Sequence, residues 1–429
     1  MQSYTRLLIV FLVVVLVLSL HMLWQLLNER NDSSDSKCEL YLHTSTMEGT
    51  GKGVFAGRDF NIHHMFRPTP VLYMAVEHIF TTQLFDYVYD DDDGFCTFNF
   101  GIANMCNSHR LRESVHLIRN VSDDDKVDLR VAAHDQHDTS DFETLVPIKT
   151  GSEMFVNYGG SWFRDRNIDE TLKLPTKEVT LSELQSSGAQ CLSHLYVEES
   201  EMPMAGKGVY SKVSYDEGDT VYISPVLVLP KQQLRMHEDS DVLINYCISE
   251  EGSDAALMPI GLTAMLNHGG TLSNVRMEWF TGEGDESRLH LPLSELEALS
   301  FAPLDIRYVA TRPIAQGEEL LLDYGTAWSQ QWLQHLDMLI EWNGDIEWNN
   351  VSKMNADQSK IPLIPQFREP IGAPEGFFPA HFKSECIGRR GTCKSYISPA
   401  DKKEKLRKLY KRSKQATQDI LSEELQEMQ

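Results

Sequence analysis

The residues of this chain best suited to chemistry lie in three short segments that recur in order. Ala205-Gly-Lys-Gly-Val-Tyr210 comes first, then Gly261-Leu-Thr-Ala-Met-Leu-Asn267 with His268, then Gly317-Glu-Glu-Leu-Leu-Leu-Asp-Tyr-Gly325. Gly206 and Gly208 can take positive φ and let a ligand approach backbone without a Cβ in the way, although a plain β-turn uses glycine for the same reason. Asn267 donates and accepts at once, which suits either a zwitterionic ligand or a turn backbone. Tyr324 offers an aromatic wall for a cation and a hydroxyl to orient an amine; its structural alternative is a core tyrosine with a bonded hydroxyl. Trp328, four residues on, either stacks on a flat ring or closes the core. No phosphate loop is present, because neither Gly-Lys-Gly continues into Gly-Lys-Ser/Thr ahead of a helix.

Each segment has an earlier counterpart. Thr50-Gly-Lys-Gly-Val-Phe55, Gly101-Ile-Ala-Asn-Met-Cys-Asn107 and Gly151-Ser-Glu-Met-Phe-Val-Asn-Tyr-Gly159 repeat the pattern, with Cys38 and Cys191 upstream of each copy. The separations are 155 residues from Gly51 to Gly206, 160 from Asn107 to Asn267 and 166 from Tyr158 to Tyr324. Three motifs in one order with small drift imply an internal duplication.

Gly-x-Gly, Asn-His and Gly-Glu-Glu-Leu-x-x-Asp-Tyr-Gly in this order resemble the motifs of SET-domain methyltransferases. The resemblance covers most of 38–163 and 191–328. It implies S-adenosyl-L-methionine as methyl donor and a protein lysine as acceptor. It also implies donor contacts from Gly206, Lys207, Gly208, Asn267, His268 and Trp328, with Tyr324 as the catalytic residue. Methyl transfer is an in-line displacement by a neutral amine, so such a site works through positioning and electrostatics. The earlier copy departs from the family, since Asn107-Ser108-His109 stands in place of Asn-His-Ser. Gly51, Gly53, Asn107 and Tyr158 are therefore expected to form a second donor site, or else a degenerate copy that binds substrate or braces its neighbour.

The elements that must position these residues read as mostly β with short helices. Val71–Val76, Val221–Leu229 and Glu319–Asp323 are short apolar runs bounded by Gly, Pro and Asp turns, the pattern of strands. The chain divides into a tail at 1–6, an apolar segment at 7–27, a first SET-like domain at 38–163 and a linker at 164–190. A second SET-like domain at 191–328 follows, then an amphipathic helix and extended wrap at 329–397 and a charged helix at 398–429. A helical turn is expected at Ser182–Gln185 in the linker. Residues 7–27 carry no Asp, Glu, Lys or Arg and match the ~20 residues that span a bilayer as a helix. They predict a signal anchor and a single-pass membrane protein. Arg6 precedes that segment, which favours a cytoplasmic N-terminus and a lumenal or extracellular remainder in the secretory pathway. Sequons at Asn31, Asn120 and Asn350 permit that topology.

Charge narrows the partners. With 63 acidic against 39 basic residues the formal net charge is −24, which argues against direct nucleic-acid binding and suits a basic, lysine-bearing partner. Asp90–Asp93 either attract such a partner or form a solvated loop. The seven cysteines lack C-x-x-C spacing, so no zinc site and no full disulfide framework are expected. Cys386 and Cys393 alone suggest a local bridge.

Overall fold

The computed structural model describes residues 38–329, apart from 76–82, 91–94, 110–111, 120–138, 160–161, 164–177, 203–204, 232–242, 244–245, 250–252, 282–285, 300 and 326–327. The segment at 7–27, the sequons, Asp91 to Asp93, Cys386, Cys393, the amphipathic helix and wrap beyond Ser329 and the helix from Ser398 lie outside the described residues. Among the described residues, no helix is long and apolar enough to cross a membrane.

Strands dominate, as the short apolar runs predict. The first half contributes β1 (Leu40–Thr44), β2 (Lys52–Ala56), β3 (Met65–Ala75), β4 (Tyr89–Asp90), β5 (Phe95–Asn99), β6 (Asn107–Ser108), β7 (Val115–Arg119), β8 (Thr139–Thr144) and β9 (Glu153–Val156). The second contributes β10 (Gln190–Cys191), β11 (Leu195–Glu199), β12 (Lys207–Ser211), β13 (Thr220–Pro230), β14 (Ala255–Pro259), β15 (Asn267–His268), β16 (Val275–Trp279), β17 (Leu304–Ala310) and β18 (Leu321–Leu322). In the first half β1 pairs with β2, β3 with β5 and β8, and β7 with β8, all antiparallel, while β6 runs parallel to β9. In the second, β11 pairs with β12, β13 with β14 and β17, and β16 with β17, while β15 runs parallel to β18.

The longest strand explains its own composition. In β13 every residue from Val221 to Leu229 is buried, so both faces are covered and the sequence is a continuous apolar run rather than an alternation. One hydrophobic cluster joins residues of both halves, among them Val54 and Phe98 with Val226 and Ile306. Phe100 meets Tyr246 with ring centres 4.8 Å apart. Each such side chain removed from water contributes roughly 1.5–3 kcal/mol, so the halves stabilise one another through a shared core.

The linker docks on the first half. Its helix α1 (Leu181–Ser186) begins at Thr180, whose hydroxyl accepts from Glu183 N while the Glu183 carboxylate accepts from Thr180 N, a capping box. Leu184 on its inner face packs with Tyr41 and Phe55. Two further helices, α2 (Glu286–Leu289) and α3 (Leu293–Glu297), precede β17. Cys38 and Cys191 form a disulfide across 153 residues of sequence, with Cα atoms 5.6 Å apart. The pairing of β10 with β1, Tyr41 opposite Cys191, brings them together, and no local spacing could have announced it. Cys96, Cys106 and Cys247 are buried thiols.

Candidate functional site

A buried carboxylate organises each half. Glu319 is 4% exposed, and its Oε1 accepts from Asn267 Nδ2 at 3.0 Å and Ser200 Oγ at 2.7 Å, while Oε2 accepts from the Glu201 N–H at 2.9 Å. Glu153 repeats this arrangement, accepting from Asn107 Nδ2 at 3.0 Å, Ser45 Oγ at 2.7 Å and the Thr46 N–H at 2.7 Å. Each asparagine also donates to the carbonyl of the lysine between the glycines, Asn267 to Lys207 and Asn107 to Lys52, both at 2.9 Å. The asparagine, the glycine turn and the terminal motif are thus one hydrogen-bonded unit. Among the described residues, neither Asn267 Oδ1 nor Asn107 Oδ1 has a donor, so both carbonyls stay available to a ligand.

The glycines divide their work. Gly51 and Gly206 have φ of 77° and 68°, left-handed values that other residues rarely adopt. Gly53 and Gly208 have a packing reason to lack a side chain. A Cβ at Gly208 would lie 2.2 Å from Glu319 Oε1, and one at Gly53 would lie 2.0 Å from Glu153 Oε1. The carboxylate occupies the space a side chain would need. Lys207 sends its ammonium to Glu199 at 2.5 Å, so it joins the turn through its carbonyl.

Short parallel pairing brings the remaining motifs together. In the second half Asn267 lies opposite Leu321 and His268 opposite Leu322, two residues before Tyr324. The Tyr324 N–H donates to His268 Nδ1 at 2.9 Å, and His268 Nε2 lies 3.0 Å from Ser329 Oγ. Because Nδ1 accepts, the ring proton of a neutral imidazole belongs on Nε2. Ser329 suits that tautomer, since its own hydroxyl donates to Gly325 O at 3.0 Å. Burial lowers the His268 pKa, against an opposing effect of Asp323, so the imidazole is neutral near pH 7. The ring centre sits 5.3 Å from that of Tyr324 and 5.0 Å from that of Trp328, and Trp328 meets Tyr324 edge-on at 4.8 Å. The Tyr324 hydroxyl donates to Leu266 O, which fixes its direction.

The first half keeps the geometry with different groups. Tyr158 donates its hydroxyl to Cys106 O at 2.7 Å, and its N–H is accepted by Ser108 Oγ at 3.0 Å, where His268 serves in the second half. Burial drives the Tyr158 hydroxyl pKa far above its ordinary value. Asn107, Ser108, Tyr158 and Trp162 line a cleft together with Lys52. Gly51 does not open into free space: Phe301 of the second half packs 3.0 Å from where its Cβ would be.

Asn274, fully buried, ties the terminal motif down by donating to Glu319 O at 2.8 Å and accepting from Leu321 N at 2.8 Å. Reasoning from sequence missed Glu153, Glu319, Ser45 and Ser200. Their signal was present: Ser45-Thr-Met47 and Ser200-Glu-Met202 sit at the same 155-residue offset as the glycines, and both glutamates lie inside the repeated terminal motif.

Neither a family model nor a curated protein matches the sequence. Among solved structures, the Plasmodium falciparum protein PFL0690c, assigned to the histone methyltransferases, is 19% identical over 32% of this chain and 96% of its own, with a TM-score of 0.23. An active polycomb repressive complex 2 in its basal state is 18% identical over 30% of this chain and 15% of its own, with a TM-score of 0.23. An apo ctPRC2 with two substitutions in Ezh2 is 18% identical over 32% and 16%, with a TM-score of 0.24. The matched region is thus under a sixth of those polycomb chains. These coarse likenesses extend over about a third of this protein, and its function has to be read from its own residues.

Proposed function

We propose that the protein is a lysine methyltransferase built from two tandem SET-like copies, anchored through residues 7–27, with transfer carried out by the second copy. One observation supports this above the others: Asn267 bonds the Lys207 carbonyl of the glycine turn, and its neighbour His268 meets Tyr324 and Trp328 from a distant segment. S-adenosylmethionine would supply an electrophilic methyl group on a sulfonium. Asn267 Oδ1 offers an acceptor to a donor ammonium, and neutral His268 packs beside the aromatic pair without adding a competing positive charge. Tyr324, with its proton committed to Leu266 O, presents hydroxyl lone pairs and a ring face to an incoming amine. The acidic surface, −24 in formal charge, draws lysine-rich substrates toward the chain.

Radiolabelled methyl transfer to a lysine-rich protein pool tests this reading. Tyr324→Phe should keep the fold and the donor affinity but lose roughly a hundredfold or more in rate, the usual effect of removing one polar contact made in the transition state. Tyr158→Phe should do much less. Undiminished transfer by Tyr324→Phe would misplace the site.

A second reading draws on the Cys38–Cys191 disulfide. Such bonds persist in oxidising compartments, which agrees with a lumenal or extracellular domain, whereas the methyl donor is made in the cytosol. On this reading the chain is a non-catalytic, membrane-tethered tandem SET-like module that recruits basic proteins. A parent protein that transfers no methyl groups would favour it.

A further inference from the structure

The glycine turn of the first half is covered by the second. Phe301 Cβ stands 3.0 Å, and its Cγ and Cδ2 3.1 Å, from where a Cβ of Gly51 would be. The ring thus lies directly against the turn whose glycines would let a ligand approach the backbone. Phe301 and Ala302 line one cleft with Thr50, Asn107, Tyr158 and Trp162. The space left there is about 110 Å³, room for a few waters but below the roughly 300–1,000 Å³ of sites that hold drug-sized ligands.

Residues of the first half hold this covering segment in place through its backbone. Gln83, 8% exposed, donates from Nε2 to Leu299 O at 2.6 Å and to Phe301 O at 3.0 Å. The Ala302 N–H donates to Tyr87 Oη at 2.6 Å, and Lys52, next to Gly51, pairs with Asp305 at 2.6 Å. Behind the ring the turn is intact, since Asn107 bonds Lys52 O and Glu153 as Asn267 bonds Lys207 O and Glu319. A second, independent observation is Asn104, which lines the cleft at 6% exposure with neither end of its amide partnered. Its counterpart at the 160-residue offset is Ala264. A buried amide with both ends unmet calls for a polar group from outside the fold, so the cleft joins polar recognition to closure.

We propose that Phe301 is an intramolecular plug that holds shut a latent ligand cleft in the first half, one that takes the methyl donor once the ring is withdrawn. This rests on the reading of both halves as SET-like copies. It assigns the first half's lack of donor binding to occlusion by its neighbour rather than to Ser108 standing where the second half has His268. A cleft closed in most molecules binds with an affinity reduced by the fraction that is open, so removing the plug must raise it.

Calorimetric titration of the full-length protein in detergent with S-adenosylmethionine tests this in an Asn267→Ala background, which removes the second-half site from the count. Adding Phe301→Ala should bring in one donor per chain, at an affinity at least about tenfold above that of Asn267→Ala alone, and Asn107→Ala should abolish it again. Phe301→Leu keeps an apolar contact on the turn but no ring. It should show the same gain in weaker form, and it serves if Phe301→Ala does not fold. No added site in either folded variant, or an added site that survives Asn107→Ala, would overturn the proposal. A parent chain that binds no donor would defeat the proposed function and not this inference, because the gain is read at the Asn107 site alone.

Discussion

At the scale of single residues, Gly208 and Glu319 carry the most testable geometry. If Gly208 serves a donor alone, Gly208→Ala should lower donor affinity in a fully stable protein. The 2.2 Å approach of a new Cβ to the Glu319 carboxylate predicts instead a loss of about 1–3 kcal/mol in stability without any ligand, measurable by denaturant unfolding. The motif glycines and their spacing were legible in the sequence, yet this cause was not, because the residue that fills the space lies 111 positions away. His268 gives a pH test. Burial depresses its native pKa, so between that value and about 6.5 the unfolded chain binds more protons, and stability must fall as pH drops through this window. Protonation of Nδ1 would also break the bond from Tyr324 N. Unfolding curves from pH 7.5 to 5.0 should show this acid loss in the parent and a flatter profile in His268→Ser. That variant keeps an acceptor of the kind Ser108 provides in the first half.

Elements were legible where their pattern is local. The strand expected at Val221–Leu229 lies within β13, and the helical turn expected at Ser182–Gln185 lies within α1, whose capping box is written in Thr180 and Glu183. The Glu319–Asp323 run yields only the two residues of β18, because its ends are taken up by the carboxylate hub and by the turn into Tyr324. Pairings between distant segments leave no local trace, and the Cys38–Cys191 bridge depends on one of them. Closing a loop of 153 residues restricts the unfolded chain strongly. Cys191→Ser is expected to cost about 2–4 kcal/mol in the oxidised protein and nothing further once reductant is added. An unfolding midpoint of the parent that is insensitive to reductant would contradict this.

For the whole molecule, the two halves are joined by a common core, a disulfide and the Phe301 contact, and they differ where a donor would bind. The second keeps histidine beside its asparagine; the first has serine there and an aromatic cleft completed by its neighbour. We propose that the two halves have divided their tasks, with a methyl donor held by the second alone. Calorimetric titration of the full-length protein with S-adenosylmethionine tests it most directly. The predicted result is one donor per chain, abolished by Asn267→Ala and retained by Asn107→Ala. No binding, two equivalent sites, or a single site lost only in Asn107→Ala would contradict it.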